Sequence, residues 1–309
     1  MSEAPLDNKD SRGETPVAAG GRRRPRLRMV LRSTSALPVL VTLFNGIAGF
    51  AAIYYATYDG LGRAEFRNLT TAAWLIFAAM AFDSLDGRLA RLTRKTSDFG
   101  AQLDSLCDAI SFGVAPAVLM LQAVSKALGG EIEHFDILRS QAPALARGMI
   151  AIAVIYVCCT VVRLARFNIE NAPDVLRHMS FKGLPSPGAA ATVASLVLLF
   201  DRVHMQQQAL WFSWTVGVAL PAVTFAVAIL MVSRMRYPHL VNQFIVGKRP
   251  VSYIIKALVV LVAALLYVEL TLAVVTVLFA ATGPVNAVRR MVWPEPATPA
   301  PAAQGHVLK

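Results

Sequence analysis

Apolar residues run through this chain in long blocks, separated by short polar and basic stretches. Eight blocks can be marked, at about 37–57, 69–87, 102–127, 146–165, 186–202, 209–233, 252–268 and 270–288. The first, LPVLVTLFNGIAGFAAIYYA (37–56), carries no charge and matches the roughly 20 residues a helix needs to cross bilayer hydrocarbon. Inside lipid, backbone N–H and C=O groups must be satisfied within the segment, which such blocks achieve as helices. The pattern therefore predicts an all-α, polytopic transmembrane helical bundle of about eight spans. Only Glu269 separates the last two blocks, so they form a tight hairpin or one long broken span, and six spans is the fallback count. The expected division is a basic N-terminal arm, disordered or juxtamembrane, over 1–36, a membrane core over 37–245, a transmembrane hairpin over 246–290, and a disordered Pro/Ala-rich tail over 291–309. No internal repeat is visible.

Composition strengthens this picture. The chain is 56% hydrophobic, against about 45–50% in soluble domains, and its mean hydropathy is +0.53. That excludes a large soluble domain. Lys and Arg total 30 against 19 Asp and Glu, a formal charge of +11. The basic residues flank apolar blocks, which reads as a positive-inside topology signal and speaks against nucleic-acid binding. With the N-terminus cytoplasmic, that side collects Arg22, Arg23, Arg24, Arg26, Arg28, Arg88, Arg91, Arg94, Lys95, Arg163, Arg166, Lys182, Arg234 and Arg236. The opposite side holds only Arg63, Arg67, Lys126, Arg139, Arg147 and Arg202. The arm's RRRPRLR either lies on anionic headgroups or only sets topology. The block after it is too long for a signal-peptide core and lacks a cleavage site, so it reads as a retained first span. The composition suits a bacterial inner membrane. Cys107, Cys158 and Cys159 lie in apolar blocks and read as small buried residues, not as disulfides or metal ligands.

One stretch breaks the apolar pattern. DSLDGRLARLTRKTSDFGAQLDSLCD (83–108) places Asp83, Asp86, Asp98, Asp104 and Asp108 between two predicted spans, although carboxylates near hydrocarbon are costly. Helical periodicity puts Asp83, Asp86, Gly87, Ala90 and Arg91 on one stripe, and Gly100, Asp104 and Asp108 on another. The short polar link makes the two helices antiparallel neighbours, so the carboxylate pairs can face one another. Four converging carboxylates need more countercharge than one arginine supplies. Divalent cations with a preference for hard oxygen ligands, Mg²⁺ or Mn²⁺, would provide it, and two such ions can flank a transferring phosphoryl group. The small residues Gly87, Ala90 and Gly100 leave room for a ligand, Arg91 can hold a phosphate, and Ser97 sits in the link.

Written out, the stretch reads D-x-x-D-G-x-x-A-R-x8-G-x-x-x-D-x-x-x-D, which resembles position for position the signature of the CDP-alcohol phosphatidyltransferase family. The resemblance implies a helical membrane enzyme, usually a homodimer, that binds two divalent cations, Mg²⁺ or Mn²⁺, and displaces CMP from a CDP-linked donor by an alcohol. It implies Asp83, Asp86, Asp104 and Asp108 as metal ligands, Gly87, Ala90, Arg91, Ser97 and Gly100 as the lining of the CDP site, and Asp108 as the base that takes the alcohol proton. LDSLCDAISFGVAPA (103–117), RLARFN (163–168), FKGLPSPGAAA (181–191), LMVSRMRYP (230–238) and the first span are similar to the subgroup that transfers the phosphatidyl group from CDP-diacylglycerol to L-serine. The resemblance covers roughly residues 37–245.

A serine acceptor needs a cation for its carboxylate and acceptors for its ammonium group. The segment between the fourth and fifth blocks offers Arg166, then Asn168 and Lys182, then Arg163, with Ser186 beside them. Arg163 and Arg166 are three apart and can share a helix face. Asn45, inside the first span near Thr42, carries a buried amide that needs partners. It either bonds the second helix or touches the nucleotide of the CDP group or a metal-site carbonyl. Pro116 reads as a packing or helix-end feature. The rival readings are a family member with another acceptor (glycerol phosphate, inositol or choline) and, from a different class, a cation transporter using the Asp cluster.

Overall fold

A computed structural model of the chain describes residues 25–58, 63–93, 98–128, 143–170, 183–206, 210–235, 237, 262–263 and 265–292. Every regular element among them is helical: α1 (Pro25–Thr57), α2 (Arg63–Thr93), α3 (Asp98–Asp108), a π-helical segment (Ala109–Val114), α4 (Ala115–Ala127), α5 (Pro143–Glu170), α6 (Ser186–Gln206), α7 (Leu210–Val232) and α8 (Val268–Val292). α3, the π segment and α4 run on as one span, Phe99–Ala127. Among the described residues, six helices are long and apolar enough to cross a bilayer, and α7 adds a shorter apolar stretch, Gly217–Val232. Seven of the eight predicted blocks thus coincide with helices. The eighth, 252–268, falls largely outside the described residues, as do 1–24 of the arm and the tail beyond Val292. α1 begins at Pro25, inside the stretch 1–36 expected as the arm, and proline is at home in a first helical turn.

Small residues bring the helices together, as they do where lipid removes any hydrophobic drive for association. Ala48, Ala52 and Ala56, one turn apart, form the buried stripe of α1, and α2 answers with Leu69, Ala72, Ala73, Ile76 and Ala79. α6 runs through the middle of the bundle and buries Ala189, Ala190, Val193, Ala194, Val197 and Leu198. α8 packs on α6 through hydroxyls, Ser195 and Thr276 lying 2.8 Å apart. At the far end of α6, Arg202 donates to Glu269 at 2.8 Å and sits 5.9 Å from the centre of the Tyr267 ring, tying α6 to the start of α8.

The π segment follows from Pro116. A proline at that position cannot donate to the carbonyl of Phe112, and its ring crowds that carbonyl. The helix widens by one residue, with the Ala115 N–H reaching Ile110 O instead. The freed Phe112 carbonyl accepts from the buried Tyr156 hydroxyl of α5 at 3.1 Å. Pro116 therefore lies inside a span, not at a helix end.

The expectation for the cysteines needs a correction. All three are free, but only Cys107 is buried; Cys158 is exposed on α5, since it faces outward from the bundle.

Candidate active site

The aspartates converge where α1, α2 and α3 meet. One carboxylate oxygen each from Asp83, Asp104 and Asp108 lie within 4.8 Å of one another. Asp86 stands close enough to interact electrostatically with Asp83 and Asp104, and it faces the Thr42 hydroxyl of α1. The residues bunch at the ends of two spans, Arg67–Leu89 and Phe99–Ala127, and not at mid-membrane. α1 is the helix against which both carriers rest. Its glycines allow this: a Cβ on Gly46 would stand 2.9 Å from Cys107 Sγ, and one on Gly49 would stand 2.7 Å from Ser111 Cα.

Asn45 is fully buried and donates its side-chain N–H to Asp108 Oδ1 at 2.9 Å. Of the partners foreseen for this amide, the second helix is not the one it finds in the bundle, because α3 lies across that face of α1. The backbone carbonyl of Asn45 accepts from Ser111 Oγ at 2.9 Å, which fixes the turn after Asp108 against α1. One oxygen of Asp108 is therefore held by α1.

Among the described residues, three buried acceptors of the site have no hydrogen-bond partner: Asn45 Oδ1, Asp86 Oδ2 and Asp104 Oδ1. Unsatisfied buried acceptors cost about 1–3 kcal/mol each, more when charged. Carboxylate oxygens converge here, and Asp86 Oδ2 and Asp104 Oδ1 lack donors. That donor set fits hard divalent cations. Beside it, a Cβ on Gly87 would meet nothing within 4 Å, so the α2 stripe is open on the side where a ligand would approach.

Arg163, placed last, is the residue within electrostatic reach of Asp83 and Asp108, and its Nη1 donates to the buried Ser186 hydroxyl at the start of α6. Asn168 is tied to α3, its Nδ2 donating to Ser105 Oγ at 2.8 Å. Arg166 is half-buried on the same helix as both. Lys182 and Ser97 lie outside the described residues. Ala90 and Arg91 belong to α2, and Gly100 to α3, but the structure describes neither the Ala90 nor the Arg91 side chain. Sequence reasoning missed Tyr156 and Ser105. The first could have been suspected from Pro116, which guarantees an orphan carbonyl one turn earlier.

Comparison with known proteins agrees with this geometry. Residues 35–219 match the sequence profile of the CDP-alcohol phosphatidyltransferases. The chain is 34% identical over 206 residues to a CDP-diacylglycerol–serine O-phosphatidyltransferase of Helicobacter pylori, covering 65% of this chain and 71% of that protein. It is 31% identical over 211 residues to the archaetidylserine synthase of Methanothermobacter thermautotrophicus, covering 68% and 72%. A CDP-diacylglycerol–serine O-phosphatidyltransferase of Bacillus subtilis is 30% identical over 203 residues, covering 66% and 90%. The matched region contains the whole aspartate cluster and stops short of α8. With six apolar membrane-length helices and this match over more than half its length, the chain is an integral membrane protein of the CDP-alcohol phosphatidyltransferase family.

Proposed function

We propose that this protein transfers the phosphatidyl group of CDP-diacylglycerol to L-serine, releasing CMP, at the cytoplasmic edge of a bacterial inner membrane. The observation that carries the reading is the convergence of Asp83, Asp104 and Asp108 at one end of the bundle, with Asp86 beside them. The serine specificity is supported by the printed activities of the H. pylori and B. subtilis relatives. The family resemblance also supports a homodimer.

Asp83, Asp86, Asp104 and Asp108 would hold two divalent cations. Bound there, these would neutralise the diphosphate of the donor and the charge that builds on it during displacement. The chain itself contributes orientation and proton transfer. The open α2 stripe at Gly87 admits the CDP moiety, which by the family resemblance Ala90, Arg91, Ser97 and Gly100 also line, while the acyl chains stay in lipid. Asn45 fixes one oxygen of Asp108, so the other takes the proton of the serine hydroxyl. The serine oxygen bonds to the lipid-side phosphorus as the phosphorus–oxygen bond to CMP breaks, and CMP leaves with that electron pair. Arg163, with Arg166, Asn168 and Lys182 nearby in sequence, supplies positive charge and polar groups for the serine carboxylate and ammonium.

The test is purified protein with CDP-diacylglycerol, Mg²⁺ or Mn²⁺, and a panel of labelled alcohols. Label should enter lipid from serine with matching release of CMP. Transfer to glycerol phosphate, inositol or choline in place of serine would overturn the acceptor assignment. Absence of CMP release with every alcohol would overturn the reaction, and cation flux in proteoliposomes would then favour transport.

A further inference from the structure

Arg163 is a half-buried cation within electrostatic reach of a carboxylate cluster, yet its side-chain hydrogen bond goes to Ser186 and it forms no ion pair with any described aspartate. A guanidinium has five donors and binds carboxylates two-pronged, so the nearby aspartates are its natural destination. If it went there, it would occupy the oxygens that cations need. We propose that Ser186 is a positioning residue that holds Arg163 off the aspartates, keeping their oxygens free for divalent cations while leaving the charge beside the acceptor pocket. This rests on the metal-assisted reading of the site above.

Ser186 is built to stay in place. Its side chain is fully buried at the first residue of α6. Two of the three residues before it are pinned to the end of α7 and the segment just after it: Gly183 N donates to Met235 O at 2.8 Å, and Leu184 N to Leu230 O at 3.0 Å. The last carbonyls of a helix have no partner within it, and here the segment entering α6 serves one of them. Gly183 has φ +98°, and a Cβ there would run into the Met231 carbonyl oxygen, so only glycine fits the turn. A rigid α7 end thus sets where the Ser186 hydroxyl lies, and the hydroxyl sets where Arg163 lies.

The test uses the full chain in detergent or nanodiscs and reads Mn²⁺ binding by electron paramagnetic resonance, without substrate. Ser186→Ala leaves a half-buried guanidinium without its acceptor and lets it turn to Asp83 and Asp108. Mn²⁺ affinity should fall on the order of tenfold, from the worth of one hydrogen bond to a charged group. Ser186→Thr, which keeps the hydroxyl, should restore it. Arg163→Gln removes the competitor and should bind Mn²⁺ at least as tightly as the unaltered protein, and Ser186→Ala combined with Arg163→Gln should behave like Arg163→Gln alone. Unchanged or tighter Mn²⁺ binding in Ser186→Ala, or a double variant as weak as Ser186→Ala, overturns the proposal. A misfolded Ser186→Ala protein would show in thermal unfolding, and the comparison of Ser186→Thr with the Arg163→Gln pair then decides. If serine proves not to be the acceptor, the functional reading fails while Mn²⁺ binding still decides the role of Ser186.

Discussion

Replacing Gly49 by alanine adds one methyl where α1 meets the segment after Asp108. The new Cβ would stand 2.7 Å from Ser111 Cα and closer still to Ser111 Oγ. Carbon atoms pack at about 3.5–4.0 Å, so a backbone atom that cannot rotate away must retreat by about 1 Å. Overpacking of this kind costs about 1–3 kcal/mol. The retreat also stretches the 2.9 Å bond from Ser111 to the Asn45 carbonyl and moves Asp108, less than one turn away, relative to Asp83 on α2. A misplacement of about 1 Å at reacting groups can cost roughly a hundredfold in rate. The expected outcome for Gly49→Ala is a lower thermal unfolding midpoint together with about a hundredfold loss of CMP release. Gly148→Ala is the control, because a Cβ there meets nothing within 4 Å, and it should match the unaltered protein in both assays. If Gly49→Ala turns over normally, close approach of α1 to the Asp108 segment is not what aligns the aspartates.

Other substitutions separate the parts of the site. Asn45→Ala removes the donor that holds Asp108 Oδ1 and should lower kcat with little change in donor KM, together with about 1–3 kcal/mol of stability, read by steady-state kinetics and unfolding. Gly87→Ala should leave the unfolding midpoint unchanged, because its Cβ has open space, yet raise the KM for CDP-diacylglycerol severalfold; unaltered donor kinetics would remove Gly87 from the nucleotide side. Chelation with EDTA should abolish CMP release, Mg²⁺ or Mn²⁺ should restore it, and Asp83→Asn or Asp104→Asn should resist that rescue at the same metal concentration.

The aspartates were legible because helical spacing is local: three- and four-residue offsets decide a shared face before any tertiary contact forms. The spans were legible for the same reason, hydrocarbon being a single solvent that imposes one length. Asn45 was only half legible. That a buried amide needs a partner follows from the sequence, but which helix supplies Asp108 depends on how three helices cross. The surroundings of Arg163 and Arg166 were likewise not legible, because two arginines three residues apart differ only in which neighbour each meets. Gly183 gave no hint of its turn, as the partners of that turn, Leu230 and Met235, lie some fifty residues away. Pro116 did carry a signal, an inevitable missing donor, that a reading of proline as helix punctuation passes over.

The bond from Tyr156 to the Phe112 carbonyl has a consequence for height along the membrane normal. Two antiparallel helices can slide past one another by a turn at little cost unless something indexes them, and this hydroxyl has one unclaimed acceptor to find on its neighbour. From that point Asp108 lies four residues toward the carboxylate-bearing end of its helix, about 6 Å, and Arg163 lies seven residues toward the same end of α5, about 10 Å. Helical side chains lean back toward their own N-terminus, which brings the guanidinium down to the aspartate's level. A slip of α5 by one turn would carry that cation past the cluster, so a proline buried in mid-span calibrates the vertical alignment of two groups that never touch it.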